Sequence, residues 1–267
     1  MFGKRNRPPV QPSDNTPTPS TASGSGGRGQ ESNPEYPWAS DRDHYVACNL
    51  AAGNLANNLA RRLTREGRIH AETYVAAAGA IAGFAAQCSL FAIADAATLA
   101  HLQIVTTKSG NKYLFGDPLN DVLLARRESE ANGRVWPMAV GGAIAAGLGK
   151  GHALDLDKMF AHVSSTIGGD NEGLPSVSEK HQPHLPARDI LKIVWPMASQ
   201  FFAADFDEFH RRFGPVPRKW WGAIAAFISP RPIIDVKDVL TPDIALTILM
   251  ETAIYASKLD RSLVEQA

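Results

Sequence analysis

Between Tyr74 and Ile93 the chain runs for twenty residues without a charge, and any fold must either hide that run from water or lend it to a bilayer. Its large apolar groups are Val75, Ile81, Phe84, Leu90, Phe91 and Ile93, and Gln87 is its one strongly polar side chain. Gly79 and Gly83 stand at G-x-x-x-G spacing, which lets a neighbouring backbone approach closely. Eight of the twenty residues are Ala, and Ala gains little on entering lipid. Asp95 and His101 then continue the pattern where a membrane span would leave the hydrocarbon. The expectation is an all-α, multi-helix bundle built around a central apolar helix at about 72–93, with a membrane-associated protein as the alternative.

Lys+Arg and Asp+Glu both total 27, giving a formal net charge of zero. That removes the global electrostatic case for nucleic acid. Cys48 and Cys88 cannot build a disulfide framework, and each lies in an apolar helical pattern where a thiol acts as a small hydrophobe. A reduced, cytoplasmic protein is expected. Residues 1–37 hold seven of the eighteen prolines and almost no apolar bulk, so residues 1–38 are expected to form a disordered tail and 39–267 a single helical domain. Lys4, Arg5 and Arg7 are followed by Pro8 and Pro9 where a secretion signal needs an apolar stretch, so no such signal is expected.

Ser40 is placed to cap a long first helix with Val46, Leu50, Leu55, Leu59 and Leu63 on its apolar stripe, Arg61, Arg62 and Arg65 near its end, and Gly67 as the stop. β-prone runs flank Ser109-Gly110-Asn111 and predict a small hairpin at about 104–115. Asp117-Pro118 reads as the cap and first turn of another helix, ending near Asn132-Gly133. Val135-Trp136-Pro137-Met138-Ala139 recurs unchanged at Val194–Ala198, and each copy reads as a corner between two helices, because proline disfavours helix at the residue before it. Asp155 caps a short helix. Thr241-Pro242-Asp243 opens a terminal helix whose stripe runs from Ala245 through Leu249, Thr252 and Ala256 to Leu259 and Leu263.

Familiar catalytic signatures are absent. Gly147-Leu148-Gly149-Lys150-Gly151 lacks the glycine at position 144 and the hydroxyl at position 151 that a phosphate loop requires. His70-Ala71-Glu72 matches half of a zinc-deaminase signature, but no P-C-x-x-C completes it, and Glu72 reads as a helix-start charge. Neither H-E-x-x-H nor an ordered G-x-S-x-G occurs. One constellation remains, in the Asp170–Pro186 segment: Asp170, Glu172, Glu179, His181 and His184. With three prolines and no apolar periodicity, this segment reads as a surface binding loop. The leading expectation is a non-enzymatic interaction or scaffold protein with a protein partner and no cofactor. The alternative is a metal-assisted hydrolase with His181 and His184 as ligands and carboxylates completing the shell.

Overall fold

The computed structural model describes residues 43–125, 133–149, 154–203 and 214–265; the N-terminal tail, the Ser40 cap and Asn132 lie outside them. The described chain is all-α apart from one two-stranded antiparallel sheet. Its elements are α1 (Asp43–Leu63), α2 (Ala71–Ile93), α3 (Ala96–Leu99), β1 (Gln103–Thr106), β2 (Lys112–Phe115) and α4 (Asp117–Asp121). They continue with α5 (Val135–Ala145), α6 (Leu156–Thr166), α7 (Ala187–Ala203), α8 (Trp221–Ile228), α9 (Pro230–Asp235), α10 (Pro242–Ala256) and α11 (Ser262–Glu265).

Helix α2 contains the uncharged run, and it is the axis of the bundle. It is the one described helix long and apolar enough to cross a membrane, and 83% of its most apolar window is buried against the rest of the chain. Only its last turn emerges, with Phe91 and Ile93 exposed. The closest partner is α10. A Cβ on Gly79 would strike the Leu249 carbonyl and the Thr252 hydroxyl, and one on Gly83 would strike the Ala253 backbone. The two glycines therefore bring helix backbones together, as small residues do at tight crossings. Gln87, buried in the same face, donates from Nε2 to the carbonyls of Ser257 at 2.9 Å and Leu259 at 2.7 Å. These bonds satisfy carbonyls at the end of α10 that have no partner within the helix.

On other sides α2 meets α7 and α8. Phe84 packs edge-on against Trp195 of α7, with centroids 4.6 Å apart. Ser89 accepts from the Gly222 N–H of α8 at 2.7 Å and donates to the Arg218 carbonyl at 2.9 Å. The hairpin pairs Gln103 with Phe115 through to Thr106 with Lys112, and its turn uses Gly110 at φ 84°.

Four local expectations are corrected. Val46 and Leu50 of α1 face outward, and the buried face instead carries Ala47, Cys48, Ala51 and Ala52 before joining Leu55 and Leu59; small side chains allow closer packing than the larger stripe would. Gly116, at φ 143°, occupies the cap position assigned to Asp117, which lies in the first turn of α4, and that helix ends at Asp121, well short of the expected end near Asn132-Gly133. The second Trp-Pro copy is no corner: Pro196 lies inside α7, whereas Pro137 sits in the first turn of α5. Packing of Trp195 against Phe84, Phe202 and Trp221 holds α7 continuous across the bond that proline removes. Finally, α10 stops at Ala256 and is buried on nearly every side, so Leu259 and Leu263 lie beyond it, and the Gln87 bonds explain where it ends.

Candidate functional site

The segment from Gly168 to Arg188 crosses the α2–α10 face, and three carboxylates tie it down. Two of them, Glu72 and Glu251, come from the helices beneath; Glu172 comes from the segment itself. Gly168 and Gly173 turn the chain at φ 80° and 76°, and the Ala187 N–H closes back on the Gly173 carbonyl at 2.8 Å.

Glu172 reaches inward between β2 and α10. The Tyr113 and Tyr255 hydroxyls both donate to its Oε1 at 2.5 Å, and the Gly168 N–H donates to Oε2 at 2.7 Å. Arg188 Nη1 stands 3.5 Å from Oε1. Burial works to raise this carboxyl, but the two phenols, the amide and the guanidinium together hold it below the usual range. The same contacts, with burial leading, push the Tyr255 hydroxyl far upward. Both tyrosines therefore serve as neutral donors.

Glu251 lies in α10 at 2% exposure. Ser176 donates to it twice, from its N–H to Oε2 and from its hydroxyl to Oε1, both at 2.5 Å. His162 Nε2 donates to the Leu174 carbonyl at 2.9 Å and stands 3.9 Å from Glu251 Oε2. Here burial prevails over these partners and the carboxyl is shifted upward.

Glu72 anchors the other end. His181 Nδ1 lies 3.0 Å from its Oε1 and His70 Nε2 3.4 Å from its Oε2. His70 also caps α2, because its Nδ1 accepts the Thr73 N–H at 3.3 Å. That bond places the neutral ring's proton on Nε2, facing Glu72. Burial, reinforced by the adjacent His184 ring, lowers the His70 pKa against the pull of Glu72. The His184 ring stacks on His70 with centroids 3.6 Å apart, while the His184 N–H donates to the Thr73 hydroxyl at 3.0 Å. Burial tends to raise Glu72, yet the His181 hydrogen bond and the neighbouring imidazoles keep it lowered.

The five residues of the proposed loop are thus divided. Glu172 and His181 turn inward to separate anchors, His184 stacks at the surface, and Asp170 and Glu179 are exposed. The segment is no free loop: Glu179–His181 forms a 3-10 turn, and Gln182 Nε2 donates to the Pro175 and Val177 carbonyls at 2.9 and 3.0 Å. His181 and His184 face different partners, and among the described residues no three His, Cys, Asp or Glu side chains are grouped as a metal site requires. Sequence reasoning missed Glu251, Tyr113, Tyr255 and Arg188 and took Glu72 for a simple end charge. A signal for Glu251 existed, since a lone acid between Met250 and Thr252 in an otherwise apolar helix needs a buried partner.

Beside the Glu72 anchor the surface opens into a groove of about 550 Å³. Arg62, Arg65 and Arg68 border it, with His70 and His184 at one end. Leu63 and Ile69 form part of its lining, and Leu185 and Ile193 add exposed apolar surface. The backbones of Arg65 and Arg68 pair as a tight bridge, each N–H donating to the other's carbonyl at 2.8 and 2.9 Å. Glu66 and Gly67 make the turn at φ 50° and 75°. Arg65 and Arg68 are both exposed, and neither arginine forms an ion pair among the described residues.

No protein-family model, curated protein or solved structure matches this chain.

Proposed function

We propose that the chain is a non-catalytic interaction protein that receives an acidic, partly apolar segment of a protein partner in the arginine-bordered groove. The carrying observation is the groove itself, where Arg62, Arg65 and Arg68 project without ion-pair partners among the described residues beside the exposed Leu185 and Ile193. Arginines of this kind match carboxylates by two-pronged hydrogen bonds, while an apolar floor adds area without dictating sequence. The anchors support the same reading. Glu72 meets His70 at the groove's end, and all three of Glu72, Glu172 and Glu251 are engaged in internal hydrogen bonds instead of offering a free general base.

The test is a charge-reversal variant, R62E/R65E/R68E, compared with the wild-type chain by crosslinking and affinity capture from native cells. The three side chains are exposed, so the thermal midpoint should change little. Partners bound by the wild type should be lost in the variant and should dissociate as salt is raised. Retention of every partner by the folded variant would sink the assignment.

A further inference from the structure

A second cleft lies at the end of β2, and its chemistry is unrelated to the groove. Lys258 follows the end of α10 and is held there by backbone bonds: its carbonyl accepts the Leu114 N–H of β2 at 2.7 Å, and its N–H donates to the Tyr255 carbonyl at 3.0 Å. The residue is 3% exposed, which is rare for lysine unless it is paired. No ion pair to it forms among the described residues. Instead Nζ sits 4.8 Å from the centroid of Phe115 and 5.8 Å from that of Phe160. These ring faces attract a cation, but far less than water or a carboxylate would.

Lys258 lines an open cleft of about 460 Å³ whose walls include Phe115, Phe160 and Leu124. A second polar group in the same cleft is also unmet: Asn120 Oδ1 is buried and has no hydrogen-bond partner among the described residues. Asp117 and Asp157 line the cleft as well, and both are exposed residues. A cleft with two aromatic walls, a buried amine without an ion-pair partner and an orphaned amide oxygen has the convergent polar groups expected of a small-molecule site.

We propose that this cleft binds a small carbonyl compound, with its apolar part between Phe115 and Phe160, a polar group on Asn120, and its carbonyl carbon bonded to Lys258 as a reversible imine. In the bond-forming step the neutral amine's lone pair attacks the carbonyl carbon and the oxygen takes up a proton. The resulting carbinolamine loses that oxygen as water while the nitrogen releases its protons and the C=N bond forms. Amine and carbonyl thus give imine and water, with no oxidant or reductant. A desolvated lysine is suited to this chemistry because burial disfavours the ammonium. Burial lowers the Lys258 pKa to about 8, which raises the neutral fraction near pH 7.5 by on the order of a hundredfold over an ordinary lysine.

The experiment is reductive trapping on the full chain, using benzaldehyde as the probe and cyanoborohydride to fix the imine, with peptide mass analysis of the modified lysines. At pH 7.5 Lys258 should be benzylated at least tenfold faster than the exposed Lys158 and Lys180, at a rate that rises through pH 8. Ala161→Trp, at an exposed position lining the cleft, should reduce the Lys258 rate by at least tenfold while leaving Lys158 unaffected. Labelling of Lys258 no faster than the surface lysines would overturn the proposal. So would unchanged labelling of Lys258 in a folded Ala161→Trp chain, since the probe would then be reaching the amine without entering the cleft.

Discussion

The α2–α10 seam and the strap from Gly168 to Arg188 are neighbours held by opposite means. At the crossing of the seam, Gly79 and Gly83 leave room only for the backbone of α10 and the Thr252 hydroxyl. Its strength comes from dispersion and apolar burial over a long contact. The strap buries Pro175, Pro183 and Ala187, but its irregular backbone is fastened at points, each a partly or fully buried carboxylate with hydrogen-bond or ion-pair partners. A seam of the first kind tolerates no added volume. The strap tolerates volume at its surface but not the loss of a hydrogen-bonding partner.

The largest effect should therefore come from filling the seam. Gly83→Leu drives a side chain into the Ala253 backbone, which cannot rotate away as a flexible side chain could. We expect a loss of at least about 3 kcal/mol, at or beyond the upper end for overpacked cores. Gly53 in α1 has no neighbouring atom within 4 Å of an added Cβ, so Gly53→Ala should stabilise by about 0.5 to 1 kcal/mol through helix propensity alone. Chemical denaturation of both variants decides the point, and equal, small effects would mean that α10 does not lie where the structure places it.

Next in size is Glu172→Ala, which strands two phenol hydroxyls, and we expect a cost of about 3 kcal/mol. The pH dependence separates the fastenings further, because their shifts have opposite signs. Glu172 has a lowered folded pKa, so its contribution is present above the unfolded carboxylate value and is lost as pH falls through the folded one. Glu251 has a raised folded pKa, so the native chain retains a proton that the unfolded chain releases. Its contribution is full below the unfolded value and declines as pH rises through the folded one. Glu251→Gln should flatten that decline above about pH 4.5, whereas Glu172→Gln should flatten the loss on the acid side. Urea unfolding midpoints measured against pH will show this, and variants that move both limbs alike would refute the assignment.

The same contrast explains what could be read from the sequence. An uncharged run with glycines four apart has few ways to fold, so α2, its burial and the role of Gly79 and Gly83 were all legible. The hairpin was legible from its turn residues. The strap was not, because its order depends on Tyr113, Glu251 and Glu72, between 59 and 109 residues away from their partners. No local pattern encodes such pairs. Composition marked the segment as irregular, which it is, but irregular backbone pinned by distant carboxylates looks the same in sequence as irregular backbone left free. The continuity of α7 through Pro196 was hidden for a similar reason, since local preference for a break yields to the packing of Trp195.

The smallest predicted effects concern His181 and His184, three residues apart in the same segment, which sequence alone treats as equivalent and exposed. If both were free, replacing either with Ala would cost no more than about 0.5 kcal/mol. The structure divides them. His181 Nδ1 meets the partly buried Glu72 Oε1 at 3.0 Å, and a hydrogen bond to a charged group contributes about 1.5 to 3 kcal/mol. Discounting for the residual exposure of both side chains, His181→Ala should cost about 1.5 kcal/mol. The His184 ring only stacks on His70, and its N–H bond to the Thr73 hydroxyl is made by the backbone and survives truncation. His184→Ala should therefore stay near 0.5 kcal/mol. It should also let the His70 pKa rise, because the adjacent His184 ring is one of the two influences holding it down. NMR titration of His70 in the His184→Ala chain reads that shift, and denaturant unfolding of the two variants reads the difference in stability. Equal costs, or a His70 titration that does not move, would mean that the His181–Glu72 bond and the His70–His184 stack do not hold this end of the strap.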